Sequence, residues 1–102
     1  MLYFIQANVD RQALNQSGEA QTASAAEGAR AREVFAEGRL LGLWRRVDCK
    51  GSIFIIEAES HEALRTELEA LPMFPYFGSF DVIPITPHPA MPEFASYGAR
   101  ES

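Results

Sequence analysis

The chain has 102 residues, 47% of them apolar and 23% charged, which suits one globular domain that buries roughly 65% of its unfolded surface. Its net charge of −5, with no basic run longer than Arg45-Arg46, argues against nucleic acid as a partner. A lone Cys49 cannot form an internal disulfide and points to a reducing cytoplasm. Neither it nor His61 and His88 stands at metal-ligand spacing, so no metal is expected.

Leu2–Val9 is rich in β-formers and reads as a strand. It lacks the charged start and cleavage site of a leader and is too short to span a bilayer, so no membrane role is expected. Residues 10–17 are polar and turn-like. An alanine-rich helix is predicted over about residues 18–37, closed by Gly38 just past its end. Residues 40–47 and 52–58 read as two strands joined by a short connection, hence a hairpin. Ser60 is a good N-cap for a helix over residues 61–71, with the stripe Ala63, Leu64, Leu68 and Leu71.

Next comes Leu71-Pro72-Met73-Phe74-Pro75-Tyr76-Phe77. Each proline pushes the residue before it away from the α region, so the helix must stop near Leu71 and the chain is expected to run extended. Its large side chains suggest a cover, over either a pocket mouth or a neighbouring subunit. The last strand spans residues 80–85, with Pro84 arguing for an edge. Thr86 onward has no clear period, although Met91, Phe94 and Tyr97 recur at a three-residue spacing that suits one turn against another subunit. The chain thus divides into a folded domain over residues 1–89 and a tail over residues 90–102.

The order βαββαβ gives a ferredoxin-like α+β fold, one antiparallel four-stranded sheet with two helices on one face. The predicted strands are apolar on both faces: Phe4 against Ile5, Leu43 against Trp44, Phe54 against Ile55. A second sheet, that of a homodimer partner, is the simplest cover for the open face.

Glu27 stands in the helix stripe Ala20, Ala23, Glu27, Ala31, Val34, with Phe35 alongside. Burial there would raise its pKa toward the range of a general base. The competing reading is a capping box, Ser24-Ala25-Ala26-Glu27, in which Glu27 only ties down a helix start. Trp44 and Arg45 follow one another on a strand, so they face opposite ways. One reading gives Arg45 as an anion clamp or enolate stabiliser and Trp44 as a pocket wall. The other gives a core tryptophan and a solvated arginine. No Ser-His-Asp or Cys-His set is supported by spacing.

Leu43-Trp44-Arg45, Glu62-Ala63-Leu64, the proline-framed run and His88-Pro89 together resemble the muconolactone Δ-isomerase family over about residues 1–89. The resemblance implies a cofactor-free isomerase of the dimeric α+β barrel type that forms homo-oligomers and acts on a small molecule. It puts Glu27 at the family's helix base. It also implies ligand-side positions at Lys50 and Ser52, and roles for Trp44, Arg45, Phe74 and Tyr76. Where the family carries a lysine after the base this chain has Gly28, and where it has tyrosine-alanine-asparagine this chain has Lys50-Gly51-Ser52. These departures imply an altered substrate. Lys50 either replaces the lost charge or is a solvated turn lysine. The same barrel also hosts cofactor-independent oxygenases, and a non-catalytic ligand-binding or assembly protein would use the scaffold too.

Overall fold

Tyr3, Ile5 and Ala7 are completely buried on one face of strand β1 (Leu2–Val9), while Phe4, Gln6 and Asn8 on the other face are half-buried. That period of two marks a strand with one covered face. In the computed structural model, which describes residues 1–94, β1 is central. Strand β2 spans Leu40–Arg45, β3 Gly51–Glu57 and β4 Phe77–Ile85, and the sheet order is β2-β3-β1-β4 with every neighbouring pair antiparallel. β4 is an edge, where Pro84 can pair opposite Tyr3 without costing the sheet interior a donor.

Helices α2 (Ala20–Ala36) and α3 (His61–Glu69) both cover the face that carries Tyr3, Ile5, Phe54 and Ile56, through Val34, Leu64 and Leu68. The result is the expected α+β arrangement of the ferredoxin-like class. Ser60 caps α3 by accepting from the Ala63 N–H at 3.1 Å. The other sheet face carries Phe4, Ile53, Ile55, Trp44 and Ile83, with Trp44 54% and Ile83 51% exposed. Gly42 lets the indole of Trp44 lie flat on that face, since a methyl there would overlap the ring.

Residues 10–17 depart from expectation. They form helix α1 (Arg11–Ser17) rather than a turn. Asp10 caps it, accepting from the Ala13 N–H at 3.1 Å, and Leu14 is its one buried residue, packed with Ala23 and Met73. Gly18, at φ 72°, takes the left-handed conformation that separates α1 from α2 and delays the second helix to Ala20. Replacing Asp10 by Ala is expected to lower stability by about 1 kcal/mol, read as a shift of the urea midpoint. An unchanged midpoint would mean that packing of Leu14 alone holds α1.

The proline-framed run is not extended either. Met73 is α-like (φ −85°, ψ −3°), and Phe74–Tyr76 form a 3₁₀ turn closed by Phe74 N–H to Leu71 O and Tyr76 N–H to Met73 O, both 2.9 Å. Pro75 fits because its fixed φ suits a helical first turn, where an N–H has no partner to lose. Met73, 5% exposed, anchors the turn in the core beside Leu14 and Ala23. β4 therefore starts at Phe77, earlier than residue 80, and α3 ends at Glu69. Phe35, placed beside the sheet-facing stripe, instead points outward at 68% exposure. Met91 precedes and Phe94 closes a short 3₁₀ turn over Pro92–Phe94, and both are exposed, while Tyr97 lies outside the described residues. Among those residues no helix is long and apolar enough to cross a membrane.

Candidate active site

α2 begins at Ala20 with Glu19 at its N-cap position, so Ser24 and Glu27 lie inside the helix and the capping-box reading of Glu27 is excluded. Glu27 points under the proline-framed loop. Burial raises its carboxyl from the ordinary 4.5 to about 7, and a hydrogen bond from the Met73 backbone opposes that only in part. Its Oε1 is buried with no hydrogen-bond partner. Natural folds rarely leave a buried acceptor unsatisfied, and such an atom is suited to receive a ligand's proton.

The nearest cation on the helix does not relieve it. Arg30 donates to Glu33 at 2.9 Å and to Glu67 of α3 at 2.8 Å, while Arg39 approaches Glu67 at 3.6 Å. These pairs tie α2 to α3 and leave Arg30 committed. Glu27 therefore meets desolvation without a compensating positive charge, which is why its proton is held to near neutral pH.

Two cavities meet at Glu27. Between α2, α3 and the sheet is a chamber of about 70 Å³, lined chiefly by Val34, Leu43, Phe54, Leu68 and Leu71, with the Arg30–Glu67 pair at its wall. Outward is a cleft of about 500 Å³ whose walls include Arg11, Arg45, Lys50 and Met73. Glu27, Ser52 and Phe77 line both. The larger volume lies within the range of small-molecule sites.

The structure brings Glu27, Arg45, Lys50 and Ser52 together around the cleft. Arg45 pairs with Ser52 across the β2–β3 ladder, so both point to the helix-covered side. Trp44 pairs with Ile53 and lies on the opposite sheet face, lining neither cavity. Phe74 stacks on Phe80 with ring centroids 5.9 Å apart, and Tyr76 donates its hydroxyl to Glu19 at 3.2 Å. Both brace the loop against its surroundings without lining the two cavities. Arg46, also in the cleft wall, is bound to Asn8 and to Asp48 at 2.6 Å, and its guanidinium holds the Asp48 carboxyl below the usual range.

Sequence reasoning missed Arg11 and Leu43, and from the proline-framed run it singled out Phe74 and Tyr76, whereas Met73 and Phe77 line the cleft. Arg11 reaches the cleft only because α1 exists and is tied to the loop, Asp10 N–H donating to Tyr76 O at 2.7 Å. A methionine amid aromatics was the one available signal for Met73, which both buries the loop and hydrogen-bonds the base.

A family model described as Muconolactone delta-isomerase matches residues 1–91. Over 90 residues the chain is 32% identical to the Muconolactone Delta-isomerase of Cupriavidus pinatubonensis, covering 88% of this chain and 97% of that one. It is 28% identical to the Muconolactone Delta-isomerase of Acinetobacter baylyi, covering 88% and 93%. Among solved structures, a crystal structure of muconolactone isomerase matches with a TM-score of 0.77 at 28% identity, over 88% of this chain and 93% of that chain. The 5-chloro-2-hydroxyhydroquinone dehydrochlorinase of Burkholderia phenoliruptrix, in complex with 2,5-dihydroxybenzoquinone, matches at 0.68 and 18% identity over 86% and 96%, a likeness of fold alone.

Proposed function

The chain belongs to the muconolactone Δ-isomerase family, and on that premise we propose that it is a cofactor-free isomerase that moves a proton within a lactone or related activated carbonyl compound. The observation that carries this reading is the Glu27 carboxylate: desolvated, with one oxygen unpartnered, at the junction of two cavities. Glu27 takes a proton from a carbon acidified by conjugation with the carbonyl. The electron pair moves to the carbonyl oxygen as a dienolate, and the same carboxylic acid returns the proton at a more remote carbon. Burial favours both halves, because a pKa near 7 matches a base that must also be an acid. Arg45, whose side chain has no ion-pair partner among the described residues, balances the enolate charge. Ser52 supplies a hydroxyl between the two cavities, and Lys50 a charge at the rim.

Deuterium incorporation from D₂O into unsaturated lactones and related enolisable carbonyl compounds tests this reading. Exchange that depends on the protein is the expected result. Oxygen uptake with the same compounds would shift the reading to a cofactor-independent oxygenase. Binding without exchange would make the chain a ligand-binding protein.

The functional unit is a homodimer or larger, with the open sheet faces of two copies packed together as an α+β barrel. Phe4, Ile53, Ile55 and Ile83 on that face support this, since a monomer would leave them against water. Light scattering at micromolar concentration is expected to give at least twice the 11.3 kDa chain mass, and Ile55→Asp to lower it. A wild-type monomer would remove the barrel.

A further inference from the structure

The two cavities that meet at Glu27 differ in chemistry, and the difference identifies a substrate class. Among the described residues, Arg11, Arg32, Arg45 and Lys50 are the cationic side chains without an ion pair. Three of these four line the outer cleft. They arrive from three separate places, α1, β2 and the turn before β3, and the chain as a whole is acidic, so their convergence is not a background of net charge. The inner chamber is the reverse. Its charged wall residues are Glu27 and the mutually neutralised Arg30 and Glu67, and the rest is almost wholly aliphatic and aromatic. At about 70 Å³ it holds several times the ~10–15 Å³ that one water needs, yet it offers few polar partners for water.

We propose that the substrate is an amphipathic anion, with its anionic group held in the outer cleft by Arg11, Arg45 and Lys50, and a short hydrocarbon arm seated in the inner chamber. Arg11 is the specificity-determining residue of this arrangement, facing the two cations of the sheet side from the helix side. The acidic carbon then lies between the two ends, at Glu27, so the arm and the anion together fix which proton is presented. The inference rests on the reading of Glu27 as the base, and it adds which compounds reach it.

Calorimetric titration of the full chain with straight-chain carboxylates from acetate to hexanoate, and with the matching primary amides, tests it at low salt. Carboxylates are expected to bind about tenfold more tightly than their amides and to weaken as salt is raised. Affinity is expected to rise roughly fourfold per added methylene until the chamber is full. Arg11→Gln, at an exposed position, is expected to weaken every carboxylate at least threefold and leave the amides unchanged. Leu43→Phe, which occupies the chamber, is expected to flatten the dependence on chain length. Backbone amide shifts on binding are expected at Leu43, Ser52 and Phe77. Equal affinity for carboxylates and amides, no dependence on length, shifts at Trp44 and Ile53 instead, or no binding of any carboxylate at 10 mM, each overturns the proposal. Its failure is separable from that of the catalytic reading. Exchange catalysed only on neutral, short compounds defeats this inference and leaves Glu27 as the base, whereas the binding pattern without exchange does the opposite.

Discussion

Glu27→Gln is expected to lower turnover and proton exchange by at least about 10²-fold, the lower end for loss of a general base. The amide keeps the size of the side chain and can still accept from the Met73 backbone, but it cannot take the substrate's proton. In the wild type, kcat/KM is expected to rise with pH through about 7 and then level, as the carboxyl loses its proton. Stability moves the other way. The folded chain keeps a proton on Glu27 that the unfolded chain releases near 4.5, so between about 4.5 and 7 the unfolded state binds fewer protons and stability falls as pH rises. Above pH 7 the charged, poorly solvated carboxylate is a fixed cost. Because the side chain keeps some contact with water, removing that cost is worth only about 1–2 kcal/mol. The variant is thus expected to be more stable than wild type at pH 8 and nearly equal to it at pH 4. Urea unfolding at the two pH values reads this, and comparing the pair cancels the other titrating groups. Near-wild-type turnover would remove Glu27 from the chemistry, and a variant no more stable at pH 8 would mean that burial does not raise its carboxyl.

Glu27 was visible in the sequence because a carboxylate interrupting a small-residue helix stripe is legible from periodicity alone. What periodicity could not decide was whether the helix starts before or after Ser24, and that question separates a base from a cap. The answer depended on Gly18 and on α1, a seven-residue helix with a single buried anchor, Leu14. One apolar residue makes no period, so the helix was unreadable, and Arg11 with it. The sheet was legible for the opposite reason. The run of β-formers over Leu2–Val9 and the stripe Leu64, Leu68 are strong local signals, and they agree with the tertiary packing. The side of the sheet on which Arg45 and Trp44 lie needed the ladder register, which a bulge between Leu40 and Gly42 shifts by one residue. The proline-framed run misled because pre-proline restriction is a preference of the isolated chain. In the folded chain Met73 anchors the turn in the core.

Muconolactone itself is expected to be turned over poorly, in spite of family membership. Of the positions that differ from the family, Lys50 and Ser52 line the cleft at Glu27, and Gly28 follows the base on its helix. A Cβ at Gly28 would meet nothing within 4 Å, so the place of the family's lysine beside Glu27 is open space here. Ser52 is short where the family carries asparagine, and it lines both cavities, so the change widens the passage between them. Lys50 stands at the rim of the cleft rather than on the helix that carries the base. A site that recognises its substrate through buried hydrogen bonds rejects a compound whose polar groups lose their partners, by up to roughly 10⁴-fold. Muconolactone offers a carboxylate for the cationic cleft but no hydrocarbon arm for the chamber lined by Val34, Leu68 and Leu71. It would leave that chamber empty and sit loosely against Glu27, where a displacement of about 1 Å can cost 10²-fold in rate. Steady-state assay with muconolactone is the direct check. Values of kcat/KM below about 10² M⁻¹s⁻¹ are expected, against 10⁴ M⁻¹s⁻¹ or more for a typical enzyme on its own substrate. Turnover at that higher level would mean that Gly28, Lys50 and Ser52 leave the family's recognition intact. Restoring a lysine at position 28 and an asparagine at position 52 together is expected to raise muconolactone turnover, since a side chain at position 28 meets nothing within 4 Å and position 52 borders both cavities.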